Sequence, residues 1–327
     1  MIEGRARVEE WPLKIPFVIS RSSRTHVDVV EVTISDGTFF GRGECQPNSR
    51  YGETSAAVCA ELRHFFDAHD HFTRNDITSL ESKAAQNALD CALWDLRSKC
   101  GGQRVWEVLG QKAPKPFPTV FTLSLGAPEA MADAARLAWA DGKRQLKLKL
   151  GGEGDVLRVQ AVRKAVPDAV LVADANEAWD MPMLRSCLPA MAGEGIALLE
   201  QPLPAGKDAG LLDIDSPVPL CADESCHASS DVEGLVNKYQ FVNIKLDKTG
   251  GLTEALKLET AARQAGMDIM VGCMLGTSLA MAPACLIASR ADYVDLDGPL
   301  LLSDDRDHKL SYSEDYNILP FGAELWG

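Results

Sequence analysis

VLVADANEAWD, residues 170–180, is a short apolar run rich in valine that ends in an acid, Asp174. The same form recurs downstream as ALLEQP at 197–202, ending in Glu200, and as LCADES at 220–225, ending in Asp223. Upstream lies QLKLKL at 145–150, where Lys147 and Lys149 alternate with leucine. FVNIKLDK at 241–248 carries Lys245 and Asp247, and YVDLDG at 293–298 carries Asp295 and Asp297. Together the chain predicts strands over 119–125, 145–150, 170–174, 197–200, 220–223, 241–245, 269–271 and 293–297, with helical stretches between them. Eight strands alternating with helices predict an α/β fold, a closed parallel TIM-like barrel rather than an open sheet. No GxGxxG or GxxxxGK[ST] run follows a strand, which removes the usual nucleotide-binding motifs. Gly151-Gly152-Glu153-Gly154 lacks phosphate-cradle spacing and reads as a flexible turn.

Ahead of this rhythm the chain reads differently. Strands are expected over 27–34 and 39–44 around the turn Asp36-Gly37, then helices over 55–66 and about 80–100, the second stopped by Gly101-Gly102. The expected organisation is an α+β cap over 1–112, a barrel over 113–300, and a tail, 301–327, folding back on the cap.

Bulk properties narrow the function. The 327 residues are 46% hydrophobic and 24% charged, as in an ordinary globular enzyme. A net charge of −14 argues against a nucleic-acid or anionic-membrane partner. The nine cysteines are irregularly spaced without a CxxC pair, which points away from zinc and disulfides and towards a reducing, cytoplasmic setting. The first ten residues are charged and do not read as a signal peptide, and no apolar stretch is long enough to span a membrane.

In a barrel of this kind the strand C-terminal ends build the active site. Three consecutive strands would each deliver one carboxylate, Asp174, Glu200 and Asp223, to one rim. With no His or Cys among them they form a hard-oxygen set suited to Mg²⁺. Lys149 and Lys245 flank that set. Lys147 and Lys149, two apart on a strand, share one face, here the barrel interior. A free lysine has a pKa of about 10.4, so its neutral form costs about 4.6 kcal/mol at pH 7. Lysine beside lysine, with a divalent cation near, is expected to lower that value and make a usable base. A base beside a metal suits removal of a proton next to a carboxylate, since the enediolate charge is met as it forms.

The ordered set KxK, DAN, EQP, DES and NIKLDKTGG resembles the muconate-lactonising subgroup of the enolase superfamily over nearly the whole chain. The resemblance implies a (β/α)7β barrel closed by an N-terminal α+β cap, with Asp174, Glu200 and Asp223 as metal ligands and Lys149 and Lys245 as bases on opposite substrate faces. Within the subgroup, Arg24 in SRSSRTH, the segment CQPNSRYGET and the pair Asp295/Asp297 look like dipeptide epimerases that act on L-Ala-D/L-Glu. That likeness implies that Arg24 faces the glutamyl side-chain carboxylate and that Asp295 and Asp297 bind the substrate ammonium, with Lys147 adding charge. It further implies a small-molecule dipeptide partner and a role in murein peptide recycling, with a homo-oligomer left open. Asn176, Asp247 and His227 are expected just behind the reacting groups. The strongest alternatives are a cycloisomerase or an o-succinylbenzoate synthase, whose substrates lack the ammonium that the acidic pair requires. A dehydratase would carry a histidine where strand seven ends in Gly272-Cys273-Met274. A non-catalytic metal-binding protein would not need both lysines. His64, His69 and His71 read as a polar helix end.

Overall fold

The computed structural model describes residues 2–327. Its cap begins with an antiparallel sheet, β1 (Glu3–Ile19), β2 (Ser22–Ser35) and β3 (Phe40–Cys45), in that order. The central strand β2 buries Val27, Val29, Val30, Val32 and Ile34. The long edge strand β1 was not foreseen. Among its apolar residues only Ala6 and Leu13 are fully buried, and its register with β2 shifts between Pro12 and Phe17. An edge strand with prolines and few core contacts gives little alternation to read.

Two longer helices cover the sheet, α1 (Ser55–Ala68) and α2 (Lys83–Gly101). Ser82 caps the start of α2 through the Ala85 N–H, and Gly102 ends it at φ 62°. His69 caps α1 and stacks on Phe65 at 4.3 Å. Helix α2 presses on β3 where Gly41 and Gly43 carry no side chain, and a Cβ at Gly43 would collide with the Ala88 carbonyl.

The barrel strands are β4 (Phe121–Leu123), β5 (Gln145–Lys149), β6 (Val170–Asp174), β7 (Ile196–Glu200), β8 (Leu220–Ala222), β9 (Phe241–Ile244), β10 (Asp268–Val271) and β11 (Tyr293–Val294). They pair in sequence order, and every pairing is parallel. The seam between β11 and β4 is closed by Val120 N–H to Val294 O (2.8 Å), Leu296 N–H to Thr119 Oγ1 (2.9 Å) and Thr122 N–H to Asp297 Oδ2 (2.6 Å). Val120, Val172, Leu198, Cys221, Phe241 and Met270 form an apolar plug in the barrel. Two positions further along β6, β7 and β8, the interior side chains become the acids Asp174, Glu200 and Asp223.

Helices α3 (Pro128–Ala140), α4 (Asp155–Ala165), α5 (Met181–Gly193), α6 (Leu252–Gln264) and α7 (Ser278–Ala288) wrap the sheet. The expected helices after β7 and β8 shrink to short turns, Ala209–Asp213 and Val232–Leu235. Pro204, Gly206, Gly210, Pro217 and Pro219 crowd the first of these connections and bar a longer helix. In the tail, the Trp326 indole donates to Cys91 O and Arg104 to the carbonyls of Phe321, Trp326 and Gly327, so residues 321–327 contact the cap helices. No helix among the described residues is long and apolar enough to cross a membrane.

Gly43→Ala is expected to destabilise the protein by about 1–3 kcal/mol, the usual penalty for overpacking, read from urea unfolding.

Candidate active site

The register of β5, β6 and β7 sets Lys149, Asp174 and Glu200 side by side, and Asp223 follows β8 at the same rim. All four are buried. Lys147 lies one interior position below Lys149 and is fully enclosed. Its Nζ stands 2.6 Å from Glu200 Oε2, 2.7 Å from Asp295 Oδ2 and 3.2 Å from Asp174 Oδ2. Lys149 Nζ donates to Asp174 Oδ2 at 2.6 Å, and Lys245 Nζ to Asp223 Oδ2 at 2.7 Å. The three carboxylates thus share a rim, but each is met by a lysine.

Ion pairing raises Lys147 and Lys245, where the sequence points to lowering beside another lysine and a cation. Burial is the largest single effect on Lys147 and lowers its pKa, yet Asp295, Glu200 and Asp174 together outweigh it and raise the value well above that of an ordinary lysine. Lys245 is raised in the same way by Asp223 and Glu200 against its burial. Burial also opposes ionisation of Asp174, but Lys149 and Lys147 win and lower it. Lys245 and Lys248 do the same for Asp223. Glu200 goes up, driven by burial and then by Asp174.

The acids fit a hard divalent cation. Glu200 Oε2 and Asp223 Oδ1 are buried without a well-formed hydrogen bond, although an ammonium stands close to each. The set is all oxygen, with no imidazole or thiolate, as Mg²⁺ prefers. Among the described residues, the one trio of His, Cys or acidic side chains whose ligand atoms all lie within 4.8 Å of one another is Glu10, His26 and Asp28. That trio sits on the β1–β2 hairpin, and exposed acidic groups commonly gather without an ion, whereas Asp174 and Glu200 are drawn to Lys147 and Asp223 to Lys245 and Lys248.

A cavity of about 250 Å³ opens over these groups. It is lined by Lys147, Lys149, Lys245, Asp223, Asn176, Asp295 and Asp297 from the barrel and by Arg24 and the 46–51 segment from the cap. Arg24 forms no ion pair among the described residues. The Asn176 N–H donates to Asp174 Oδ1, while its own Oδ1 is buried without a partner. Asp297 is half committed, because its Oδ2 takes the Thr122 N–H at the seam. Burial and then Asp295 push its pKa up to about 7. Two expected neighbours lie outside this cavity. Asp247 faces the cap, accepting from Gln46 N–H (3.1 Å) and Asn87 Nδ2 (2.9 Å), and burial pushes it up to about 7. His227 packs edge-on against Tyr51 and contacts Glu224 O, lining a separate cleft. Cys273 lines the cavity.

Several supports escaped the sequence. Asn243, two before Lys245 and therefore on the same face, donates to Glu200 Oε1 at 2.6 Å. Gly272 leaves room for Lys245, since a Cβ there would stand 3.0 Å from Lys245 Cε. Gln201 accepts the Asp223 and Ser225 N–H groups and so ties β7 to the loop after β8. Lys248 donates to the Asp223 carbonyl and stands 2.7 Å from its Oδ1. The glycine-rich loop after Lys149, expected to be flexible, is pinned. Asp155 accepts the Gly151 and Gly152 N–H groups and the Trp179 indole N–H.

The N-terminal domain model of mandelate racemase / muconate lactonizing enzyme matches residues 1–110, and an enolase C-terminal domain-like model matches residues 130–316. The chain belongs to the enolase superfamily. It is 44% identical over 307 residues to an L-Ala-D/L-Glu epimerase of Escherichia coli (strain K12), covering 93% of this chain and 96% of that one. It is 43% identical to an N-acetyl-D-glutamate racemase of Pseudoalteromonas sp, with 91% and 95% coverage. A crystal structure of an enolase family member from Agrobacterium tumefaciens, with homology to dipeptide epimerases and with bound sodium and L-Ala-L-Glu, superposes with a TM-score of 0.95 at 47% identity, covering 100% of both chains.

Asp155→Ala would leave the buried Trp179 N–H and two loop amides without their acceptor. A loss of about 2 kcal/mol or more in urea unfolding is expected from unmade buried hydrogen bonds.

Proposed function

We propose that this enolase-superfamily member is a Mg²⁺-dependent isomerase, an epimerase that inverts the glutamyl α-carbon of L-Ala-D/L-Glu-type dipeptides by proton transfer between two lysines. The observation that carries the reading is that Lys149 and Lys245 line one cavity from β5 and from the end of β9, with the acid-bearing strands β6, β7 and β8 between them. The similarity to the E. coli epimerase and to the L-Ala-L-Glu-bound structure supports the substrate.

Asp174, Glu200 and Asp223 would hold Mg²⁺, which favours the negative charge building on the substrate carboxylate as the α-proton leaves. Lys149 Nζ, as free amine, takes that proton from one face, and Lys245 Nζ, as ammonium, delivers one to the other. The reverse reaction exchanges their roles. Lys147, locked among three acids, contributes fixed positive charge. Arg24, free of ion pairs among the described residues, offers a planar fork to the glutamyl side-chain carboxylate. Asp295, with its buried Oδ1 unpartnered, and Asp297 suit the N-terminal ammonium. Murein peptide recycling in the cytoplasm is the role that this reading carries with it.

A second reading, racemisation of an N-acylated glutamate, is favoured by the protein partners that the acidic pair already has. Lys147 takes Asp295 Oδ2 and Thr122 takes Asp297 Oδ2, which leaves less acceptor capacity for an ammonium. Proton NMR in D₂O with Mg²⁺ separates the two. Washout of the α-proton of L-Ala-L-Glu with growth of the L-Ala-D-Glu signal is expected, at a rate well above that for N-acetyl-L-glutamate, and the opposite ranking would replace the dipeptide by the acyl amino acid. EDTA should stop the reaction and Mg²⁺ should restore it.

Lys245→Ala should lower epimerisation by at least about 10²-fold, the usual worth of a general acid or base. It should still wash the α-proton out of the isomer that Lys149 faces. Full epimerisation by this variant would sink the two-base scheme.

A further inference from the structure

Two separate cap loops reach the barrel rim, and both end on the same carboxylate. Arg21, at the tip of the β1–β2 hairpin, donates to Glu177 Oε2 at 2.8 Å. Arg50, in the segment after β3, grips Glu177 through Nε (2.9 Å) and Nη2 (3.0 Å). Glu177 lies three residues beyond Asp174, and its side chain is only 7% exposed against 35% for Arg21 and 40% for Arg50. Its backbone is left-handed, with φ 67° following φ 45° at Asn176, a costly conformation for residues with a Cβ. The strained pair turns the Glu177 carboxylate up to both arginines, and the Ala205 N–H braces it from the barrel side.

Arg21 also connects inward. Its Nη2 donates to Glu224 Oε1 at 2.7 Å, and Glu224 lines the catalytic cavity with Oε2 buried and unpartnered. A further Arg21 bond, Nη1 to Asn176 O at 2.7 Å, ties the hairpin to the residue that holds Asp174. The two loops carry Arg24, Asn48 and Tyr51 into the cavity wall.

We propose that Glu177 is a positioning residue that couples the two cap loops, latching Arg21 and Arg50 together so that the substrate-facing wall formed by residues 20–24 and 46–51 seats as one unit. Glu177 is not among the residues lining the cavity; it acts through the loops that are. Its effect on turnover rests on the epimerase reading, whereas its effect on the loops does not.

Hydrogen exchange followed by mass spectrometry on the full chain, without substrate, tests the coupling. Glu177→Gln keeps the shape and removes the charge. It should speed exchange about tenfold or more in both 19–24 and 46–52, since charge-assisted bonds report directly on local opening. Arg50→Gln should loosen 46–52 far more than 19–24, and Arg21→Gln the reverse. With L-Ala-L-Glu, Glu177→Gln should raise KM about tenfold while kcat stays within about twofold, the signature of lost positioning rather than lost chemistry. Exchange that is unchanged in either loop of Glu177→Gln overturns the latch. Loosened loops with an unchanged KM, or with kcat falling in proportion, overturn the positioning role. If the wild type turns over no dipeptide, the function reading fails, and exchange alone decides the latch.

Discussion

A single buried ammonium, Lys147 Nζ, holds the interior of this barrel together. Three acids from three strands, Asp174, Glu200 and Asp295, converge on it. Like-charged carboxylates packed this closely repel, and burial strengthens that repulsion. A cation on their common axis makes the arrangement tolerable. The same cation ties β5 to β6, to β7 and to the end of β11, so the strand carrying the acidic pair is bound across the seam into the barrel. Truncating one partner of such a cluster leaves uncompensated buried charge, which is far costlier than losing a surface ion pair.

The acid-bearing strand ends were legible because a parallel barrel imposes a simple code. Side chains two apart share a face, and one end of the sheet carries the chemistry. Asp174, Glu200, Asp223, Lys147 and Lys149 could be aligned by counting alone. Other features lack such a code. Strand β1 has almost no apolar alternation, and the turns after β7 and β8 replace helices where prolines and glycines crowd the chain. Asp247 and His227 lie close in sequence to functional residues yet point to the cap side, because the short helix after Lys245 and the loop after Asp223 turn their side chains away from the strand axis. The rise at Lys147 was not legible for a related reason. Sequence places Lys147 beside Lys149, but only three-dimensional packing shows that Asp174, Glu200 and Asp295 surround Lys147.

Asp297 illustrates how structural and chemical duties overlap. Its Oδ2 closes the barrel by taking the Thr122 N–H, which an ordinary ladder bond would otherwise satisfy. The other oxygen remains for the cavity. A residue that serves the seam cannot move far, and a rigid acceptor discriminates better among ligand groups than a mobile one. The protonation of Asp297 therefore bears on two things at once. Burial, and then Asp295 beside it, push its pKa up to about 7.

The backbone at the rim follows the same logic. Asn176, Glu177 and Gln201 adopt left-handed conformations just past the ends of β6 and β7. Helix-forming continuations at these points would carry the chain directly away from the rim. The left-handed turns instead keep amides and side chains over the acids: Asn176 N–H on Asp174, Gln201 Oε1 on the Asp223 N–H, and Glu177 on the two cap arginines. Each such residue costs of order 1 kcal/mol or more, and hydrogen bonds and ion pairs at the rim offset it. The bonds to Glu177 cross from cap to barrel, that from 223 to 201 joins two barrel strand ends, and that from 176 to 174 is local, so the strain is offset by contacts of all three kinds. The rim is where the cap arginines meet the loops that follow the acid-bearing strands, so it is where the cap can influence the chemistry below it.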